Sequence, residues 1–229
     1  MQYYFIGGLG GNSYHLAPLM DELGFPVTFL DPYREMIQTE NDLRDWFQGR
    51  VGQAEEICLF GHSLGGDLAR YLATEFPQIQ ALILLDGGYL DMEKILPLEE
   101  ELEGTASFMQ QQVFATLEEA VLSELGDGED PTPIARKAVE ASFRWNPASE
   151  QYELNLDLEK VMALLRLRRR IKTYQIPTGG PACPFYWTSV PRRTGMEKRR
   201  SEATRSPDRA SLTRWFGART VYRVARNCG

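Results

Sequence analysis

The stretch that most constrains this fold is Gly61-His62-Ser63-Leu64-Gly65-Gly66, which joins an apolar run at 57–60 to a helical pattern at 64–75. The apolar run has the length of a buried strand, so these residues must turn the chain from strand to helix within a few positions. Glycines two residues before and after Ser63 allow such a bend, because they add no side chain that would clash. The pattern predicts a serine hydroxyl held out of a sheet on a tight turn.

Short apolar runs alternate with helical patterns along the first 88 residues. We predict strands at 3–6, 27–30, 57–60 and 81–85, and helices at 13–23, 35–47 and 64–75. Such alternation implies right-handed crossovers and a three-layer α/β fold, in which a doubly wound, mostly parallel sheet carries helices on both faces. Ligands of these sheets bind beyond the carboxyl ends of the strands. The residues predicted at that edge are 7–12, Asp31, Ser63 and Asp86.

Residues 89–172 change to a helical and acidic pattern, which predicts a helical cap inserted between two core strands after a core at 1–88. Basic residues cluster near the end of the last predicted helix of this segment. Because cations are favoured in the last turn of a helix, we interpret the cluster as a solvated helix end rather than an anion site. The cluster consists of Arg166, Arg168, Arg169, Arg170 and Lys172.

Composition changes abruptly near residue 178. Residues 1–177 hold 14 basic and 29 acidic residues, net −15, whereas residues 178–229 hold 11 and 3, net +8. Leucine falls from 26 residues to one, and Leu, Ile, Val and Phe together make up 6 of the last 52 residues. A basic segment with less than roughly 20% of these residue types is expected to stay disordered. We therefore predict the start of a further core strand at 173–178 and a separate basic tail at 179–229.

Three cysteines, Cys58, Cys183 and Cys228, are an odd number without metal-ligand spacing, which favours reduced thiols. The first residues lack a basic region, and no apolar run approaches the roughly 18 residues of a membrane helix. We expect a cytoplasmic protein that does not associate with membranes and uses no metal or cofactor.

A second glycine-rich turn, Gly7-Gly8-Leu9-Gly10-Gly11-Asn12, follows the first predicted strand. A turn of this kind allows a backbone N–H to face Ser63. The oxyanion that develops in acyl transfer needs two fixed donors, each worth roughly 3 kcal/mol. We assign them to the N–H groups of Leu9 and Leu64.

These residues, in this order, resemble the α/β-hydrolase family over about residues 1–178. The resemblance covers both glycine-rich turns, the strand at 81–85 with Asp86-Gly87-Gly88, the helical insertion and residues 176–178. It implies a serine esterase or thioesterase that acts on a small acyl substrate. The residues it implies are Ser63 as nucleophile, Asp86 as the acid, Leu9 and Leu64 as oxyanion donors, and Gly8, His15 and Tyr89 around the substrate pocket.

The base of this family is a histidine that follows the nucleophile, yet the only histidines here are His15 and His62. His62 precedes Ser63 on a turn whose adjacent side chains point apart, so we predict that it packs under the turn. His15 is predicted to line the mouth of the pocket. Without a histidine to orient, Asp86 is predicted to cap the turn at 87–88. Loss of a triad member costs on the order of 10⁴- to 10⁶-fold in turnover, so we expect impaired activity.

Two explanations of the missing base remain open. The protein is a catalytically inactive binder of an acyl or carbonyl ligand, or residues 179–229 are an out-of-frame translation, which their abrupt start at a strand favours. Pro181 and Pro184 exclude an interior strand at 179–184. The strand at 81–85 would then be an edge through which two copies could associate. A nucleic-acid arm is a minor alternative, since the basic tail matches no such motif.

Overall fold

The computed structural model describes residues 1–126 and 131–172, together with the backbone of one further strand at 185–188. The first half contains β1 (Gln2–Ile6), α1 (Ser13–Leu23), β2 (Thr28–Leu30), a 3-10 helix (Pro32–Arg34), α2 (Glu40–Val51), β3 (Ile57–His62), α3 (Leu64–Glu75) and β4 (Ile79–Leu85). The second half contains α4 (Met92–Ile95), α5 (Leu98–Gln111), β5 (Val113–Phe114), α6 (Leu117–Leu125), α7 (Pro133–Ser142), β6 (Phe143–Asn146), β7 (Gln151–Leu154), α8 (Leu158–Ile171) and β8 (Phe185–Thr188).

Five parallel strands form the main sheet in the order β2-β1-β3-β4-β8, which confirms the predicted α/β class. Side chains alternate between its two faces, as the pleat requires. On one face, Ile6, Leu59 and Leu84 pack with α2, α3 and α8. On the other, Phe5 stacks between Phe29 and Phe60. Both faces are therefore buried, as in parallel sheets generally.

The predicted edge position of the strand at 81–85 is wrong. β4 is an inner strand, because β8 pairs with it in parallel from Phe185 to Thr188. Proline excludes a ladder only where it stands, and the Phe-Tyr-Trp-Thr segment after Pro184 contains residue types that favour strands. Association of two copies through an exposed β4 is therefore not expected.

The compact unit that contains the sheet extends from Met1 to Thr188. The predicted strand start at 173–178 lies outside the described residues. The predicted disorder and the suggested change of reading frame at 179–229 lie outside them too, apart from β8.

The segment predicted as a helical cap also contains a three-stranded antiparallel sheet, in the order β5-β7-β6. Its strands have only two to four residues, too few to show a clear alternation in the sequence. These strands, α6 and α7 enclose a small core of Ala120, Val121, Val139 and Phe143. We call residues 113–126 and 131–154 the insertion module. Helix α8 lies outside it, because five of its residues belong to the main core: Val161, Met162, Leu164, Leu165 and Leu167.

The interpretation of the arginines on α8 as a solvated helix end is wrong for two of them. The side chains of Arg168 and Arg169 are only 10% and 7% exposed, and both form ion pairs with Glu101 of α5. Arg168 also lies 3.8 Å from a carboxylate oxygen of Asp67 on α3. We call these four residues the charge cluster. The two acidic residues lie 67 or more positions before the arginines in the sequence, so no local pattern could reveal the pairing.

Other features depend on local capping. The helix predicted at 35–47 begins only at Glu40, because the Thr39 hydroxyl and the Asp42 carboxylate cap each other's backbone N–H groups there. Within the residues that the structure describes, no helix is long and apolar enough to cross a membrane.

Candidate active site

Ser63 occupies the turn between β3 and α3, with φ 53° and ψ −125°, a conformation that residues with side chains seldom adopt. Its N–H donates to the Leu85 carbonyl of β4 at 3.0 Å, and its own carbonyl accepts from the Gly66 N–H at 2.8 Å. We call residues 61–66 the elbow. Two backbone hydrogen bonds thus hold the strained serine in place.

Glycines let neighbouring backbone approach the elbow closely. A Cβ at Gly65 would lie 2.3 Å from the Ile6 carbonyl oxygen at the end of β1. A Cβ at Gly87 would lie 2.2 Å from the carbonyl oxygen of Ser63 itself. Side chains at these positions would collide with backbone, so the ends of three neighbouring strands can meet only because the two residues are glycine.

The glycine turn, residues 7–12, lies against the serine. A Cβ at Gly8 would be 3.0 Å from Ser63 Cβ and 3.1 Å from the His62 Nδ1 atom. Within the described part of the chain, the N–H groups of Leu9 and Leu64 donate to no other group. Leu64 is the first residue of α3, where an N–H has no partner inside the helix. Both N–H groups belong to residues next to the serine or to its contact Gly8, and their role as oxyanion donors stays a prediction.

His62 lies beside the glycine turn, since its Nδ1 would be 3.1 Å from a Cβ at Gly8. Its side chain is half-buried. Desolvation lowers the pKa of His62, and the negative charge of Asp86 offsets part of that effect. Burial therefore favours the neutral form of the imidazole. It forms no hydrogen bond with any described residue, Ser63 included.

His15 is committed to a helix cap. Its Nδ1 accepts from the backbone N–H of Asn12 at 3.2 Å, so the proton of the neutral ring resides on Nε2. The His15 side chain is exposed, yet desolvation by the surrounding atoms lowers its pKa. The charge of a protonated His62 would lower it by a smaller amount. A general base needs a free lone pair, and the lone pair of His15 is already engaged. The ring could take a proton only by giving up the cap.

The serine hydroxyl and the Asp86 carboxylate form no hydrogen bond within the part of the chain that the structure describes. Asp86 is exposed and has a φ of 52°. Because its carboxylate accepts no hydrogen bond from the described residues, the predicted capping of the turn at 87–88 is not formed. Instead, the buried Arg70 donates from Nη1 to the Gly88 carbonyl at 2.8 Å. Tyr89 follows this turn and is half-buried.

Arg70 and Asn12 are site residues whose roles the sequence did not indicate. Arg70 lies on α3 with its partner 18 residues ahead, and nothing in the local pattern marks the pair. Asn12 ends the glycine turn and caps α1. The capping signal was visible in the Asn-Ser-Tyr-His sequence, but the partners that Asn12 finds on α7 are not local.

Comparison with known families and structures agrees with this geometry. Residues 48–131, which contain the elbow, match the family described as BAAT / acyl-CoA thioester hydrolase C terminal. No curated protein matches the chain.

Three solved structures are similar in fold. E-2-(acetamidomethylene)succinate hydrolase is 19% identical with a TM-score of 0.56, over 73% of this chain and 65% of its own. An esterase from M. tuberculosis is 19% identical with a TM-score of 0.50, over 69% and 59%. The thioesterase domain from the curacin biosynthetic pathway is 15% identical with a TM-score of 0.51, over 82% and 84%.

The chain thus spans less than two thirds of the length of the first two of these proteins. Identities this low speak for architecture alone. Together with the parallel sheet and the strained serine turn, they show that this chain has the α/β-hydrolase fold over part of its length.

Proposed function

We propose that the protein is a serine hydrolase of the esterase or thioesterase type, with Ser63 as its nucleophile. The observation that carries the proposal is the strained backbone of Ser63, which two backbone hydrogen bonds hold in place. The N–H groups of Leu9 and Leu64, which donate to no described group, support it. Strain of this kind persists only where the surrounding structure enforces it, and it concentrates at functional sites. In this proposal, Leu9 and Leu64 stabilise the oxyanion that forms when the hydroxyl attacks a carbonyl carbon.

The proposed substrate is a carboxylic ester, a thioester or a related acyl compound. The family match of residues 48–131 concerns acyl-CoA thioester hydrolases, and the similar structures include an esterase and a thioesterase domain. Gly8, His15 and Tyr89 are proposed to line the pocket. The chemistry common to all these substrates is a carbonyl group with a leaving oxygen or sulfur.

Turnover is proposed to be impaired, because neither histidine is placed to take the serine proton in the described structure. His15 uses its lone pair in a cap, and His62 makes no hydrogen bond with the Ser63 hydroxyl within the described residues. An unactivated hydroxyl is a poor nucleophile near neutral pH. The residual rate would come from the oxyanion donors and binding, with a loss on the order of 10⁴-fold or more.

The second candidate is a ligand-binding protein with a hydrolase fold and no turnover. It is favoured because the Ser63 hydroxyl has no hydrogen-bond partner among the described residues. In that case the hydroxyl contributes little to affinity. Ser63→Ala would leave the Kd of an acyl ligand within about fivefold, because a single exposed hydrogen bond contributes at most roughly 1 kcal/mol.

Labelling with a fluorophosphonate followed by peptide mass spectrometry tests the enzyme proposal. We expect a slow adduct on Ser63 that Ser63→Ala abolishes. The matched control is Ser149→Ala, which alters a serine of an exposed turn of the insertion module and should leave labelling unchanged. An adduct distributed over several serines, or none on Ser63 after prolonged exposure, would contradict the proposal.

A further inference from the structure

The carboxamide of Asn12 joins the glycine turn to the insertion module. Its Nδ2 donates to the Ala138 carbonyl at 2.8 Å and to the Ser142 hydroxyl at 3.0 Å, both on α7. Its Oδ1 accepts from the Tyr14 N–H at 3.0 Å and thereby caps α1. The side chain of Asn12 thus accepts a hydrogen bond from α1 of the core and donates hydrogen bonds to α7 of the module.

This link joins the neighbourhood of Ser63 to the buried face of α7. Asn12 is the last residue of the glycine turn, which contains Leu9 and lies against Ser63 at Gly8. Ala138 is buried on α7, which packs along α1. Apart from a 3.5 Å contact between the Ser142 hydroxyl and the Gly10 carbonyl, no other hydrogen bond among the described residues connects the module with the glycine turn.

A second set of hydrogen bonds joins the core to the residue that follows the module. There, Arg34 donates from Nη1 to the carbonyl and to Oδ1 of Asn155, both at 3.0 Å. The packing of α7 along α1 and the hydrogen bonds of Asn12 hold the other side of the module. Asn12 makes its contribution beside the serine, because it ends the turn that contains Gly8.

We propose that Asn12 is a positioning residue that couples the insertion module to the glycine turn. Through it, the module keeps one position over the substrate side of Ser63, and the direction of the Leu9 N–H is set together with that position. The effect on Ser63 rests on the proposed hydrolase function, whereas the attachment of α7 does not.

Asn12→Asp separates the two roles of the side chain. Aspartate keeps an acceptor for the Tyr14 N–H, so the cap of α1 survives. It loses the donor and places an oxygen against the carbonyl oxygen of Ala138. Ser142→Ala removes only one of the two acceptors and should have a smaller effect in the same direction.

Hydrogen exchange of the whole chain is the first test. Asn12→Asp should speed exchange within 133–142 by about tenfold, the equivalent of one lost hydrogen bond, and leave 64–75 unchanged. Thr39→Ala, which removes the cap of α2, is the matched control and should leave 133–142 as it is. Unchanged exchange at 133–142 in Asn12→Asp, or an equal rise in the control, would overturn the proposal.

Coupling to the serine is tested with a long-chain fluorophosphonate at increasing concentration. The concentration for half-maximal labelling rate should rise about tenfold in Asn12→Asp while the limiting rate stays within about threefold, since positioning affects probe binding more than the hydroxyl itself. Unaltered concentration dependence would refute the coupling. If the parent chain is not labelled at all, the proposed function fails, and the exchange test still decides whether Asn12 holds α7.

Discussion

The two sides of the candidate site differ in how firmly the structure fixes them. On the elbow side, the backbone of Ser63 is hydrogen-bonded in both directions, and glycines at 65 and 87 let it touch neighbouring backbone. On the acid–base side, His15 is engaged in a cap and Asp86 is exposed. The elbow is part of the packing of the sheet and is retained with the fold. Proton transfer needs groups that packing does not require, so fold and chemistry can separate.

The sharpest way to break the elbow side is Gly65→Ala. The new methyl group would lie 2.3 Å from the Ile6 carbonyl oxygen, and backbone cannot yield as a flexible side chain would. We expect the free energy of unfolding, measured by urea denaturation, to fall by more than about 4 kcal/mol. Gly49→Ala is the matched control, since a Cβ there meets nothing within 4 Å in a helix interior, and it should stabilise by up to about 1 kcal/mol. Equal effects of the two changes would show that the elbow is not tightly packed.

A smaller loss is expected from the charge cluster, which connects α5 and α8 to the elbow helix α3. Glu101 is 11% exposed and pairs with two buried arginines, so Glu101→Gln leaves buried positive charge uncompensated. We expect a loss of about 3 kcal/mol in the free energy of unfolding. Glu118→Gln removes an acid that is 56% exposed in its pair with Arg136 and should cost much less, because water screens an exposed pair. A cost for Glu101→Gln as small as that of the control would mean that water reaches the cluster.

The smallest effect is expected on the acid–base side, in the pH dependence of the free energy of unfolding. Because desolvation lowers the pKa of His62, the unfolded chain takes up the proton first as pH falls. The contribution of His62 to the free energy of unfolding is therefore fully present above about pH 6.5. It is lost as the pH falls below that value, by at most about 1.4 kcal/mol per pH unit for one proton. His62→Gln should reduce the loss of stability between pH 7 and pH 5 in urea titrations. His15→Gln should reduce it less, since His15 keeps open surface. An unchanged pH dependence in His62→Gln would show that His62 is not desolvated.

Much of the core could be predicted from sequence, because its signals are local. The helices at 13–23 and 64–75 have the predicted bounds, and the four predicted strands of the main sheet are present, shifted at their ends by up to two residues. Apolar period and turn glycines act within a few residues of one another. Such signals survive whatever the rest of the chain does.

What could not be predicted depends on residues distant in sequence. The burial of Arg168 depends on Glu101 and Asp67, and the inner position of β4 depends on a strand a hundred residues later. The short strands β5, β6 and β7 are set by their pairing rather than by periodicity. In the site, the sequence revealed the number of histidines. Only the structure showed that the cap of α1 occupies the lone pair of His15.

The most direct test of the central claim is the pH dependence of Ser63 labelling by a fluorophosphonate. If no group takes the proton from the hydroxyl, the rate should rise about tenfold per pH unit from pH 6 to pH 9, because only the small alkoxide fraction reacts. A rate that levels off near neutral pH, and loses that plateau in His62→Gln, would show that an imidazole acts as the base and would contradict the account.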